Sequence, residues 1–197
     1  MSEIVTRDAL AKLVQARQQT GYKAVFTNGC FDLLHLGHVT YLQHARTLGD
    51  FLIVGVNSDA STRRLKGLAR PLTPQTERAA LLCALAAVDY VTVFDEDTAE
   101  ALVAVLRPAI YVKGADYAAV RRGEEYHLHA EELRCVLAGQ SGDYPALAGL
   151  AARLPEAPVV AAYGGELALL PYLPGHSTTE LIQRIVSRYA KTATAPD

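Results

Sequence analysis

Hydrophobic and polar positions follow two alternating patterns along the chain. Short apolar runs, typical of strands buried on both faces, occupy 23–27, 51–56, 90–94, 109–112 and 166–170. Apolar residues at helical spacing occupy 7–19, 36–48, 74–88, 98–106 and 177–189. Because strands and helices alternate, the pattern predicts an α/β fold, a Rossmann-like three-layer sandwich with a mostly parallel five-stranded sheet.

One segment, at about 118–158, departs from this alternation. It is rich in alanine and leucine, with helical spacing at Leu128, Leu133 and Val136 and a turn signal at 139–143. We expect a helical insertion of one or two helices beside the sheet, within a single domain spanning 1–197. A lid, a dimer contact and an insertion without a role are all compatible with the pattern.

Composition narrows the class of protein. The 197 residues are 50% hydrophobic, enough for one domain with a real core, and the net charge of −2 gives no broad basic surface for nucleic acid. No apolar run approaches the roughly 18 residues that span a bilayer. Three scattered cysteines and an N-terminus without a signal-peptide pattern favour a reducing cytoplasm. We therefore expect a cytoplasmic protein with neither a nucleic-acid nor a membrane partner.

The most informative chemistry lies between the first predicted strand and the helix after it. There the segment 27–38 reads TNGCFDLLHLGH, so His35 and His38 lie three apart in the first helical turn and face the same side. A helix N-terminus carries unpaired N–H groups that suit a phosphate, and Gly37 lets a ligand approach the backbone. A zinc site is the alternative interpretation, but no third ligand follows at a metal-like spacing.

Two basic features follow the second predicted strand. The run 63–71 reads as a loop in which Lys66 offers phosphate oxygens a point charge and Arg70 a planar fork. Arg78 lies in a first helical turn, where a cation is poorly placed for the helix dipole. A salt bridge explains that position more simply than a role in binding.

Two more clusters lie at predicted strand ends. Lys113 and Asp116 flank Gly114 after the fourth strand, where a lysine suits phosphate and a carboxylate suits sugar hydroxyls. Further on, Ser177 or Thr178 caps the last helix, and Glu180 completes a capping box if Ser177 is the cap. That helix N-terminus forms a second candidate anion site.

Four segments together resemble the HxGH nucleotidyltransferases. They are TNGCFDLLHLGH, the stretch from VNSDAS through Lys66 and Gly67 to Arg70 and Pro71, VKGADY, and GHSTTELI. Within that superfamily the chain is most similar to the adenylyltransferases of ADP-heptose synthesis, over residues 7–117 and 159–188. The resemblance implies transfer of AMP from ATP to a sugar 1-phosphate, with heptose 1-phosphate as the first candidate, giving an ADP-sugar and pyrophosphate. It also implies Mg²⁺ as cofactor, with Asp32 as its candidate ligand.

The resemblance further implies roles for particular residues. His35, His38 and Lys66 would be catalytic. The expected nucleotide-binding residues are Thr27, Asn28, Gly29, Cys30, Phe31, Asp32, Gly37, Lys113, Gly114, Ser177, Thr178 and Thr179. The expected acceptor-binding residues are Asp59, Arg70, Asp116 and Tyr117.

The expected nucleotide and acceptor follow from positions at which this chain differs from related enzymes. Glycerol-phosphate-type cytidylyltransferases resemble this chain but usually carry one arginine near the position of Ala86 and another at the start of an RTEGISTT run. This chain has YLPGHSTT at 172–179, with Tyr172 in place of that arginine. The absence of both arginines favours ATP over CTP, with a phosphorylated sugar as the second substrate. Glycerol phosphate, ethanolamine phosphate and FMN stay open as acceptors, as does a non-catalytic nucleotide-binding module. Superfamily members are often dimers, so a homodimer is expected by resemblance.

Overall fold

A mostly parallel sheet forms the centre of the structure, a computed structural model that describes residues 2–115, 124–142 and 144–190. Within these ranges the sheet has seven strands. They are β1 (Glu3–Ile4), β2 (Ala24–Gly29), β3 (Phe51–Asn57), β4 (Tyr90–Phe94), β5 (Ile110–Gly114), β6 (Tyr126–Leu128) and β7 (Glu166–Leu170).

The strand order is β1-β4-β3-β2-β5-β7-β6, and every pairing is parallel except that of β6 with β7. From β2 the chain first moves outward through β3 and β4, and then returns to the other side of β2 as β5. The order therefore reverses between β2 and β5. Open α/β sheets bind ligands beyond the carboxyl ends of the strands at such a switch point.

Helices cover both faces of the sheet. Those of the described residues are α1 (Arg7–Gln19), α2 (Leu36–Thr47), α3 (Asp59–Lys66), α4 (Gln75–Cys83), α5 (Glu100–Leu106), α6 (Ala130–Leu137), α7 (Leu150–Arg153), α8 (Glu156–Tyr163) and α9 (Thr178–Tyr189). A short 3₁₀ turn, Pro145–Leu147, precedes α7. None of these helices is both long enough and apolar enough to cross a bilayer.

Alternation along the central strands divides the core into two layers. Phe26 and Ile53 pack with α1, α5, α6 and α8 on one face, whereas Val25, Leu52 and Val54 pack with α2 and α4 on the other. Because successive strand side chains point to opposite faces, a continuous apolar run fills both layers at once. The fold is the expected α/β three-layer sandwich.

The sheet has two more strands than the five predicted. All five predicted strands are present, and β1 and β6 are additional edge strands of two and three residues. Runs this short carry no measurable periodicity, so their pairing depends on neighbours that are distant in sequence. The prediction of a basic loop at 63–71 was also wrong in part, because residues 63–66 form the last turn of α3.

The segment at about 118–158 contains more than the one or two helices expected. Its described residues form β6, α6, the 3₁₀ turn, α7 and the start of α8. Leu128, Leu133, Val136, Leu147 and Leu150 are buried in the same apolar cluster as α1 and α5. The segment thus extends one layer of the core, and it brings α7 and α8 to the carboxyl edge of the sheet.

Candidate functional site

The two histidines of the HLGH segment lie side by side at the start of α2. His35 is the residue before the helix, with an extended backbone, and His38 lies in the first turn. Their rings stack with centroids 3.8 Å apart, and Phe31 packs edge-on against His38 at 5.2 Å. The aromatic packing fixes the position of the His38 ring at the mouth of a cleft.

Burial keeps both imidazoles neutral at pH 7. Burial first, and the neighbouring His35 ring second, lower the pKa of His38 to about 4. Burial and the nearby His176 lower the pKa of His35, while Glu180 opposes that effect. Neutral imidazoles donate a hydrogen bond without bringing a full charge. Within the described residues, the buried Nδ1 atoms of both rings make no hydrogen bond to the protein.

Gly37 joins this helix to the loop before α9. A Cβ atom at Gly37 would lie 2.6 Å from the carbonyl oxygen of His176, so only glycine permits this approach. The N-termini of α2 and α9 therefore lie close together. Two helix N-termini at one place concentrate partial positive charge, which suits an anion. These are the two helix N-termini that the sequence analysis named as candidate anion sites.

The N-terminus of α9 carries the expected capping box. The Ser177 hydroxyl accepts from the Glu180 N–H at 3.1 Å, and the Glu180 carboxylate accepts from the Ser177 N–H at 2.9 Å. The Ser177 hydroxyl also donates to that carboxylate, so it is occupied within the helix cap. Thr178 and Thr179, one and two positions on, line the cleft instead.

The ends of β2 and β5 form the floor of the cleft. Lys113 is 5% exposed, and its Nζ atom lies 3.3 Å from the side-chain oxygen of Asn28, which also accepts from the Tyr111 hydroxyl. A Cβ atom at Gly114 would collide with the Tyr172 ring, so the missing side chain lets Tyr172 lie across the strand end. A buried cation thus lies under one edge of the cleft with an aromatic ring beside it.

Asp32 holds the loop that carries Arg70. Its buried carboxylate forms an ion pair with Arg70 and accepts from the N–H groups of Leu72 and Thr73, at 2.8 and 2.9 Å. Burial alone would raise the pKa of Asp32, but the Thr73 and Leu72 N–H groups and Arg70 together lower it. Both carboxylate oxygens are therefore engaged by the protein itself.

Arg78 has the structural role that its sequence position indicated. The side chain is fully buried, donates to the carbonyl oxygens of Thr73 and Cys30, and pairs with Asp59 at 2.8 Å. It ties the β2–α2 turn to α3 and to the start of α4. Asp59, whose carboxylate also accepts from the Gln75 N–H, lies outside the cleft beside a separate shallow depression.

The far wall of the cleft comes from segments that the sequence patterns did not indicate. Asp97 and Thr98 follow β4, and Arg153 and Glu156 come from α7 and α8. Glu156 is 4% exposed, and one of its oxygens accepts from the Ala99 N–H at 2.7 Å, which caps α5. An acidic residue in the first turn of a helix is an ordinary pattern, so no local signal singled out Glu156.

These elements enclose a cleft of about 500 Å³ at the switch point of the sheet. Predicted site residues that line it are Asn28, Gly29, Cys30, Phe31, Asp32, His38, Lys66, Arg70, Lys113, Gly114, Thr178 and Thr179. His35 and Gly37 lie directly behind His38, whereas Thr27 is buried and bonded to Tyr41 at 2.8 Å. Asp116 and Tyr117 lie outside the described residues. Lining residues that were not predicted include Tyr41, Asn57, Asp97, Arg153, Glu156 and Tyr172.

Comparison with known proteins agrees with this geometry. The model of the cytidylyltransferase-like family matches residues 26–184, which include every element around the cleft. The bifunctional proteins HldE of Pelobacter propionicus and Geobacter sulfurreducens are each 44% identical to the chain over 96% of its length, but over only 32% of their own. The chain therefore spans about a third of these relatives.

A solved structure, the lipopolysaccharide core biosynthesis protein from Thermoplasma volcanium, is 38% identical. The match covers 49% of this chain and 77% of the solved chain, with a TM-score of 0.45. The family match extends from β2 through most of α9, and it includes both histidines and both helix N-termini. The chain belongs to the cytidylyltransferase-like family.

Proposed function

We propose that the chain is an adenylyltransferase that transfers AMP from ATP to a sugar 1-phosphate, with heptose 1-phosphate as the first candidate. The observation that carries this proposal is the convergence of His38, Lys66, Lys113 and the N-terminus of α9 on one cleft. Each of these groups suits phosphate oxygens, and together they surround a space that fits a nucleotide. The HldE relatives, which match the chain over a third of their own length, are named bifunctional, and an enzymatic activity of the matched region is consistent with that name.

The reaction needs no nucleophile from the protein. An oxygen of the acceptor phosphate attacks the α-phosphorus of ATP, the bond from that phosphorus to the bridging oxygen breaks, and pyrophosphate leaves with the electron pair. A sugar phosphate is already anionic at neutral pH, so no general base is required. Catalysis then depends on positioning and on stabilising charge that develops on the phosphates.

The residues of the cleft divide this task. His38, supported by its stacked neighbour His35, donates a hydrogen bond to the triphosphate as a neutral imidazole. Lys66, exposed at the end of α3, neutralises charge from one side, and Lys113 does so from the floor. The α9 N-terminus, with Thr178 and Thr179, receives the β- and γ-phosphates.

Asp32 does not fit the role of Mg²⁺ ligand that the resemblance implies. A metal-ligating carboxylate needs an accessible lone pair away from other cations. Asp32 is buried, its Oδ1 atom accepts from Leu72 and Thr73, and its Oδ2 atom pairs with the Arg70 guanidinium, whose charge repels a metal ion. We therefore assign Asp32 to positioning, since it holds Arg70 at the cleft.

The far wall is the proposed acceptor site. Glu156 presents a buried carboxylate there, with one oxygen held by the Ala99 N–H, and carboxylates suit sugar hydroxyls. Arg70 and Arg153 add positive charge that suits the acceptor phosphate. Asp59, which the sequence suggested as an acceptor ligand, pairs with buried Arg78 away from the cleft, so the proposed acceptor site does not include it. A homodimer and a cytoplasmic location stay predictions of the sequence.

The test is an acceptor screen with ATP and CTP run side by side. Pyrophosphate release and product mass are measured for sugar 1-phosphates, glycerol phosphate, ethanolamine phosphate and FMN. We expect release with ATP and a sugar 1-phosphate, and a loss of about 100-fold in His38→Ala, the scale of one preorganised donor. His44→Ala is the matched control, because His44 lies on the same helix and pairs with Glu125. ATP binding without release for any acceptor would favour a nucleotide-binding module instead.

A further inference from the structure

Two histidines and a glutamate converge on the edge of the sheet, at the opposite end of β7 from the cleft. His127 and His129 are two apart on an extended segment, so their side chains point to the same face. His127 lies opposite Ala168 and Leu128 opposite Leu167, and this antiparallel register brings His129 beside Glu166. One oxygen of Glu166 lies 2.7 Å from Nε2 of His127 and 3.4 Å from Nδ1 of His129.

We propose that His127, His129 and Glu166 bind one divalent transition-metal ion, with Zn²⁺ as the best match. The three ligand atoms all lie within 4.8 Å of one another. Four ligands at bonds of about 2.0–2.1 Å around a tetrahedral zinc are roughly 3.3 Å apart, so small side-chain rotations bring these atoms to bonding positions. Two imidazoles and a carboxylate form a donor set that zinc commonly uses.

The surroundings support an open, prearranged site. The side chains of His127, His129 and Glu166 are 33%, 68% and 27% exposed, which leaves room for water as the fourth ligand. Glu132 accepts from the His129 N–H at 2.9 Å and from the Tyr144 hydroxyl at 2.6 Å. These bonds fix the backbone of a ligand residue at the start of α6, in the manner of the supporting partners of other metal sites.

The position of the ion implies a structural effect rather than a catalytic one. Its ligands would join β6 to β7, and through residue 129 to the N-terminus of α6. β6 is an edge strand of three residues, paired on one side only within the described sheet. A metal that binds the folded chain selectively stabilises it, so we expect zinc to hold this edge of the insertion against the sheet.

The test is zinc binding to the full chain, freed of metal and of any histidine tag. We expect titration calorimetry at pH 7.5 to give one site per chain, a melting temperature that rises with Zn²⁺, and reversal by EDTA. Co²⁺ should give the visible absorption of a tetrahedral ion. His129→Ala should weaken zinc binding by about 10-fold or more and abolish the thermal effect. This variant should still fold, because the His129 side chain is largely exposed.

Two matched variants separate this site from adventitious binding. His44→Ala removes an exposed histidine paired with Glu125, and His35→Ala breaks the histidine pair at the cleft. Both should bind zinc as the wild-type chain does. No saturable binding, or equal binding by wild type and His129→Ala, would overturn the proposal and leave the three residues as an ion-pair cluster.

Discussion

At the scale of single residues, burial decides what each side chain of the site can do. His38 is neutral because its ring is buried beside a second imidazole, and Asp32 is unavailable to a metal because protein donors occupy it. The sequence indicated that both residues belong to one site, since a strand, a turn and a helix start follow in order. It could not show which partners each would have, because Arg70 and Thr73 lie some forty residues away.

The low pKa of His38 predicts a pH dependence of stability. The unfolded chain takes up a proton near pH 6.5, whereas folded His38 does so only near pH 4. Protons in this window therefore favour unfolding, so stability falls as pH decreases. For the ligand-free protein we expect a loss of about 2 kcal/mol between pH 8 and pH 5 from this residue.

Urea unfolding of wild type and His38→Asn at both pH values measures that loss. The variant should lose less stability on acidification, while the control His44→Asn should behave as wild type does. Equal losses in His38→Asn and wild type would mean that the folded protein does not hold this imidazole neutral.

The buried Arg78 side chain gives a second prediction at this scale, which concerns the free energy of unfolding. Its buried guanidinium bonds to Thr73, Cys30 and Asp59, so removing it leaves two carbonyl oxygens without this donor and the Asp59 carboxylate without its cation. Arg78→Met should lower the free energy of unfolding by about 3 kcal/mol. Arg63→Met, at an exposed position on α3, should change it by less than about 0.5 kcal/mol. Similar unfolding midpoints for the two variants would contradict the anchoring role.

At the scale of elements, local sequence patterns predict the longer helices and strands, but they do not predict the short edge strands that form only by pairing with distant parts of the chain. The bounds of α1, β4 and β7 agree with the predictions because apolar spacing and turn residues delimit them. The helix expected at 74–88 ends at residue 83, since the N–H groups of Ala84 and Leu85 bond three residues back, to Leu81 and Leu82, in tighter turns. α3 was missed because its exposed face is charged and its short length shows little apolar spacing, although Ser58 caps it.

α9 provides the prediction at this scale. None of its residues is buried, so its stability depends on its own hydrogen bonds and cap more than on packing. Ser177→Ala removes the cap and should cost about 1 kcal/mol, which lowers hydrogen-exchange protection of the first α9 amides roughly fivefold. Ser187→Ala, on the same helix and bonded only locally to the Arg184 carbonyl, is the control. Unchanged protection in Ser177→Ala would show that packing holds this helix start.

At the scale of the whole molecule, the cleft joins parts of the chain that are far apart in sequence. The side proposed for the nucleotide is built from β2, β5 and the starts of α2 and α9, all of which carry recognisable motifs. The far side is built from the β4–α5 turn and from α7 and α8, which carry none. The sequence therefore indicated residues that line one side of the cleft, whereas its expected acceptor residues, Asp59, Arg70, Asp116 and Tyr117, include none from this far wall. Glu156 connects that wall to the core because it also caps α5.

Glu156→Gln separates the two roles of this residue. The amide oxygen of glutamine can still accept from the Ala99 N–H, so stability should change by less than about 0.5 kcal/mol. Under the proposed function the variant loses a charge-assisted bond to the acceptor, so KM for the sugar phosphate should rise about tenfold while KM for ATP stays unchanged. Glu156→Ala should lose the helix cap as well, and unfold at lower urea. A rise in KM for ATP alone would place the nucleotide, rather than the sugar, against this wall.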